Sequence, residues 1–154
     1  MKTAALLRRI LPPLWCGMVC ATAMEAQLKF QAPGITRELG LGIGKLVFTA
    51  LNRVECVLAI LLAIALFAFA PAGGAQRRAK IVFGALAVVL LAQTFWLIPL
   101  LIERIDLITS GRTPPDSAAH FVYIALEIAK ILLLLTLSVL LNLQSENYKN
   151  ETRH

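Results

Sequence analysis

Four long apolar runs, separated by short polar or glycine- and proline-bearing stretches, organise the chain. The clearest, 81–102, contains no charged residue at all. The last, 118–143, carries His120, Glu127 and Lys130 inside it. The second ends near Ala70 and reaches back past Glu55 to about Leu46. The first runs from Ile10 to about Phe30, with Pro12 and Pro13 at its head and Glu25 within it. A helix needs roughly 20 apolar residues to cross a hydrocarbon core of about 30 Å, and each run meets that length. Proline is tolerated in a first helical turn, so the Pro12-Pro13 pair predicts a helix start there. The pattern predicts an all-α integral membrane protein with spans at about 10–30, 46–70, 81–102 and 118–143. It forms a single domain over 1–143, followed by a polar, frayed cytoplasmic tail at 144–154.

Composition agrees with this reading. Of the 154 residues, 58% are hydrophobic and 16% charged; soluble domains run about 45–50% apolar and about 25% charged. A soluble globule of this size lacks the interior to hide so much apolar surface. Three cysteines cannot pair off completely, which excludes a disulfide-stapled secreted module. The net charge of +6 would suggest nucleic acid in a soluble protein. Here the basic residues flank apolar runs, so they report membrane topology and no nucleic-acid partner is expected.

Orientation follows from those charges. Placing both termini in the cytoplasm gives that side Lys2, Arg8, Arg9, Arg77, Arg78, Lys80, Lys149 and Arg153. The outer side then holds Lys29, Arg37, Lys45, Arg104 and Arg112, in longer connections that include the glycine-rich stretch 34–44. Gly73-Gly74 is expected to make the tight inner turn. The expected architecture is an up-down-up-down four-helix bundle in a bacterial cytoplasmic (inner) membrane. The first run also imitates a signal peptide, with Lys2, Arg8 and Arg9 before it and Ala21-Thr22-Ala23 as a small-residue cleavage site. The two prolines and the apolar character past Ala26 favour an uncleaved span.

A depth count singles out the polar residues. Counting about 1.5 Å per residue from the inner ends places Glu25, Glu55 and Glu127 at one level in the outer half, with Glu103 at the rim. Asn52, Arg53, Arg104, His120, Tyr123 and Lys130 fall nearby. On the last helix His120, Tyr123, Glu127 and Lys130 share one face. A charge facing lipid costs about 2.5–3.5 kcal/mol on insertion scales, so this stripe is expected to turn inward, towards Glu55, Arg53 and Glu25. Two readings result. Either the layer is a ligand- or proton-binding cup open to the outside, with Glu55 and Glu127 as proton or cation sites and His120 as the rim relay. Or it is an ion-pair network that locks helices in register or docks another membrane protein. A hydrated cavity favours the first, a dry paired cluster the second.

Cys16, Cys20 and Met24 recur at helical spacing and form a candidate soft-metal set, with ordinary core packing as the simpler reading. Di-iron carboxylate sites need Glu-x-x-His on two helices, which this chain lacks. No nucleophile elbow, phosphate loop or dinucleotide fingerprint is present, so no cofactor is expected and an enzymatic role on lipid or quinone ranks last. Gly40, Gly42 and Gly44 suggest close helix packing or a hinge at the rim. Trp15, Trp96, Tyr123 and Tyr148 fit interfacial anchoring.

Trp15-x-Gly17, Lys29-Phe30-x-Ala32-Pro33 and Gly42-x-Gly44-x-x-x-Phe48-x-x-Leu51-Asn52 carry a family resemblance. These motifs resemble small four-helix membrane proteins of unknown function, a bacterial domain-of-unknown-function family that includes the human platinum-resistance transmembrane protein. The resemblance covers the first third of the chain in detail and the topology of the remainder. It implies an uncleaved first helix and a four-helix bundle, and brings no established chemistry. Glu25, Glu55 and the stripe from His120 to Lys130 lie outside its motifs.

The functional expectation is a small multi-pass protein that binds or transports a polar or cationic ligand, coupled to protons, through a charged cup. The alternative is an accessory or assembly subunit of a larger membrane complex. Either way the lipid bilayer is a partner, and a bundle this small is expected to work as a homo-oligomer or within a complex.

Overall fold

The computed structural model describes residues 2–68 and 74–151, with side chains for 3–68, 74 and 76–143. Every regular element among the described residues is helical. Helix α1 is Lys2–Leu28, followed by a single 3-10 turn, Lys29–Gln31; α2 is Arg37–Phe67 and α3 is Gly74–Ala92. A π-helical turn, Gln93–Leu97, joins α3 to α4, Ile98–Thr109, and α5 is Ala119–Glu151. Four stretches among the described residues are long and apolar enough to cross a membrane: Thr3–Gln31, Arg37–Phe67, Gln76–Thr109 and Ala119–Leu143.

Several boundaries differ from the expectation. α1 starts at Lys2, so Pro12 and Pro13 lie in the helix interior and not in its first turn. Both prolines remove a backbone donor, which leaves the carbonyls of Arg8 and Arg9 without their usual partner one turn on. Membrane helices tolerate such prolines where neighbouring groups compensate the freed backbone; Pro12 is fully buried and Pro13 exposed. Of the glycines expected in an outer connection, Gly34 lies in the loop before α2, whereas Gly40, Gly42 and Gly44 belong to that helix. Thr36 caps that helix, its side chain accepting from the Leu39 N–H at 3.2 Å, so the helix begins before Gly40. The tail expected to fray from Gln144 continues as helix to Glu151. Residues 152–154, and Gly73 of the expected inner turn, lie outside the described residues.

The ends of α2 and α4 show why the chain turns where it does. Gly40 lies so close to the Phe30 ring that a Cβ could not fit unless the ring moved, and Gly44 lies under the Lys29 ammonium. These glycines let the 3-10 turn fold its side chains onto α2. At the end of α4, Gly111 takes φ +75°, and the Gly111 and Arg112 N–H groups close back on Ile108 and Leu107. That is a Schellman stop, which needs a residue free to adopt the left-handed region.

α1 packs against α2 and α5, α3 against α5 and α2, and α4 against α2. Two apolar clusters fill the interior. One, towards the end holding the start of α1 and of α3, includes Leu11, Leu62, Leu66, Phe83, Leu86, Leu134 and Leu137. The other, towards the loops at 29–36 and 110–118, includes Leu97, Ile98, Leu101, Ala119 and Tyr123. The outward surface is apolar as well. Phe95, Phe121, Leu46, Val88 and Leu132 are all at least 60% exposed, which suits contact with acyl chains and not with water. Lipid tails are as apolar as leucine, so helix association here depends on close packing and polar contacts between helices.

Gly40→Ala is expected to force the Phe30 ring off its seat at a cost of about 1–3 kcal/mol. Phe30→Ala in the same chain should recover most of it, as read by thermal unfolding in detergent and a double-mutant cycle.

Candidate functional site, a buried two-acid, one-lysine centre

A lysine without water is the most demanding group in this bundle. Lys130 is fully buried on α5, near the middle of its span. Its ammonium has three donors and finds three acceptors: Glu55 Oε1 at 2.6 Å, Glu127 Oε1 at 2.9 Å and Gln93 Oε1 at 2.9 Å. Each of the two carboxylates receives a further donor. Trp15 Nε1 donates to Glu55 Oε1 at 2.9 Å, and Gln93 Nε2 donates to Glu127 Oε1 at 3.0 Å. Trp15 lies on α1, Glu55 on α2, Gln93 at the start of the π turn, and Glu127 with Lys130 on α5. All four membrane-length stretches thus meet at one point.

Local helix geometry sets these positions. Glu127 and Lys130 are three apart on α5, so their side chains share a face and close the pair directly. Trp15 follows Leu11 by one turn and precedes Val19 by one turn along the buried line of α1. The π turn between α3 and α4 places Gln93 and Leu97 both inward, and the Ile98 N–H reaches back to Gln93 O. Such turns shift helical register locally and recur where a side chain must be aimed.

The centre carries an uneven charge. Two carboxylates share one ammonium, with side-chain exposures of 2% for Glu55, 14% for Glu127 and 0% for Lys130. Polar groups continue from it towards the loop end. Asn52 Nδ2 donates to Thr94 Oγ1 at 2.8 Å, and Tyr123 stands one turn before Glu127 with its ring 5.4 Å from that of Phe48. In the other direction the interior is the leucine-rich cluster.

The residues expected in the layer divide. Glu55, Tyr123, Glu127 and Lys130 face inward, and Asn52 is one step away. Glu25 does not join them. It lies roughly 15 Å further along α1 than Trp15 and pairs with Lys29 at 3.6 Å. Glu103 is exposed at a comparable distance beyond Gln93, beside an open hollow of about 460 Å³ that also involves Asp106 and Arg112. The depth count began α1 at Ile10 instead of Lys2, an error of about 12 Å that set the wrong residue at the common level. Arg53 points out of the bundle, since two residues along a helix turn a side chain well away from Glu55. Arg104 donates to the Pro115 carbonyl and so secures a loop. His120 is exposed in the first turn of α5, edge-on to Phe121, while Ala119 and Tyr123 mark the buried line there.

The candidate metal set is also split. Cys16 packs in the apolar core, Cys20 is exposed and Met24 is 64% exposed. Among the described residues no three His, Cys, Asp or Glu side chains converge as metal ligands. Trp15 and Gln93 were not singled out from the sequence as site residues. Trp15 read as an interfacial anchor, yet it is wholly buried; Trp96, at 59% exposure, is the tryptophan that faces outward. The available signal for Gln93 was an amide inside a span otherwise free of charge. Tyr148 lies beyond the described side chains.

Four helices long and apolar enough to cross a membrane, with an apolar outer surface and a polar cluster inside, define a multi-pass α-helical membrane protein. No protein-family model, no curated protein and no solved structure matches the chain.

Lys130→Met is expected to destabilise the bundle by about 3–5 kcal/mol, because it strands buried carboxylates without their cation. Trp15→Phe removes a single hydrogen bond to a charged group and should cost about 1.5–3 kcal/mol. Thermal or denaturant unfolding in detergent measures both, and the order of the two effects checks the assignment.

Proposed function

We propose that this chain binds and moves a proton or small cation at the Glu55–Lys130–Glu127 centre. It does so as an up-down-up-down bundle with both termini on the cytoplasmic side of a bacterial inner membrane. The single observation that supports the reading is the charge imbalance: a buried acid, Glu55, and a half-buried one, Glu127, face one buried lysine. A dry interior strongly disfavours a net charge, so the site is stabilised when one positive charge joins it. A proton on either carboxylate meets that need without any change of volume. Asn52, Thr94 and Tyr123 make the loop end the side of approach, and the leucine-rich cluster closes the other side. The pairings Trp15–Glu55, Gln76–Leu66, Asn52–Thr94 and Arg9–Asn142 support the alternating helix directions. Lys2, Arg8, Arg9, Arg77, Arg78 and Lys80 support the inward orientation of the opposite end.

Reconstitution into vesicles carrying an internal pH-sensitive dye tests the proposal. Glu55→Gln and Glu127→Gln should each abolish proton or cation flux while leaving membrane abundance intact. Unchanged flux in the double variant overturns the reading.

The enclosed, ion-paired form of the centre favours a second reading, that of an accessory subunit or homo-oligomer, and Arg53 supports it as well. This arginine is exposed on α2 beside Val54 and Val57, where a charge turned to lipid is costly. An acidic group on a neighbouring membrane helix would relieve that cost. On this reading Arg53→Leu shifts the chain to a smaller species on native gels, and unaltered migration removes it.

A further inference from the structure

The loop end of the bundle holds a second set of groups that the buried centre does not use. Lys29, on the 3-10 turn after α1, folds its side chain back until it is only 10% exposed. Its ammonium lies 5.7 Å from the centroid of the Phe30 ring and 5.8 Å from that of Phe48. Gly44 forms the floor, where a Cβ would stand 2.9 Å from the lysine nitrogen. The fourth wall is Glu25, whose Oε2 is 3.6 Å from that nitrogen. This oxygen is buried and accepts no hydrogen bond among the described residues. Two aromatic faces, a carboxylate oxygen and a glycine floor are the elements that recognise ammonium groups. Lys29 fills the space poorly: both rings lie near the roughly 6 Å limit of useful attraction, and the carboxylate is beyond hydrogen-bonding reach.

We propose that Glu25, Phe30, Phe48 and Gly44 form a binding site for a small primary or methylated ammonium group, which Lys29 occupies as a tethered plug. The inference rests on the reading of this bundle as a cation-handling protein and gives the ligand class for its loop end. Phe48 connects the two places, because its other neighbour is Tyr123, one turn from Glu127. An ammonium that displaces Lys29 therefore arrives at the head of the polar track. The same chemical group is carried by a free amine and by an ethanolamine lipid headgroup, and the site lies near the end of α1 where either can reach it.

The test uses the full chain in nanodiscs of phosphatidylglycerol, which hold no ammonium headgroup, titrated with methylammonium chloride and read by saturation-transfer NMR. Lys29→Ala and Lys29→Ser should each bind methylammonium at least tenfold more tightly than the native chain. Adding Glu25→Gln should return the affinity to the native level. Affinity that does not rise in either Lys29 variant, or that survives Glu25→Gln, overturns the proposal. Repeating the titration in phosphatidylethanolamine nanodiscs separates the sources: a weakened response assigns the site to the headgroup, an undiminished one to the free amine. Glu127→Gln placed in the Lys29→Ala chain should leave methylammonium binding intact. The proton-centre reading and this one therefore fail independently.

Discussion

A lysine ammonium held away from both water and lipid constrains everything else in this bundle. Leaving it unpaired in such a place would cost several kcal/mol, so each of its three donors has to find an oxygen. Glu55, Glu127 and Gln93 supply those oxygens from three different stretches of chain, and Trp15 ties in the fourth by donating to Glu55. Sliding one helix by a single turn would move its contribution by about 5.4 Å and break the set. In a membrane, where apolar contacts between helices bring no hydrophobic gain over lipid, such polar connections carry the specificity of register.

The same constraint separates the bundle into two halves of different character. Below the centre, Leu62, Leu66, Leu86, Leu134 and Leu137 are fully buried, and the buried amide at that end, Gln76, donates to the Leu66 carbonyl. Above it, Asn52, Thr94, Tyr123 and the Lys45–Asp106 pair continue towards the loops. The break in α-helical pitch at Gln93–Leu97 falls at this boundary, where an amide must reach both a carboxylate and an ammonium at once. A regular helix satisfies its own backbone completely, and the π turn departs from that regularity at the level where Gln93 serves two partners.

Much of the architecture was readable from hydropathy, because the bilayer leaves a chain little freedom. Only helices and closed barrels satisfy every backbone group in hydrocarbon, so four apolar runs of sufficient length mean four helices. Helix ends were harder to read. Thr36 starts α2 ahead of three glycines that, taken alone, suggest a loop; their role is to admit Phe30 and Lys29, which becomes visible only when α1 folds back on α2. Pro12 and Pro13 misled for a related reason. Their intrinsic penalty argues for a helix start, yet α1 runs through both, with Leu11, Pro12 and Trp15 buried on one side of it.

The linear order of residues determined the four apolar helices and the inward turn of Glu127 with Lys130. Those follow from one-dimensional properties, namely run length, the cost of exposed charge and the three-residue spacing that puts two side chains on one face. Tertiary structure alone decided which partners that pair would meet. Depth in the bilayer depends on where each helix truly begins, and an error of about two to three helical turns exchanges Glu25 for Trp15 and Glu103 for Gln93. Neutral donors such as an indole or an amide give no charge signal in the sequence, and their contribution arises only once separate helices bring them within 3 Å of a carboxylate.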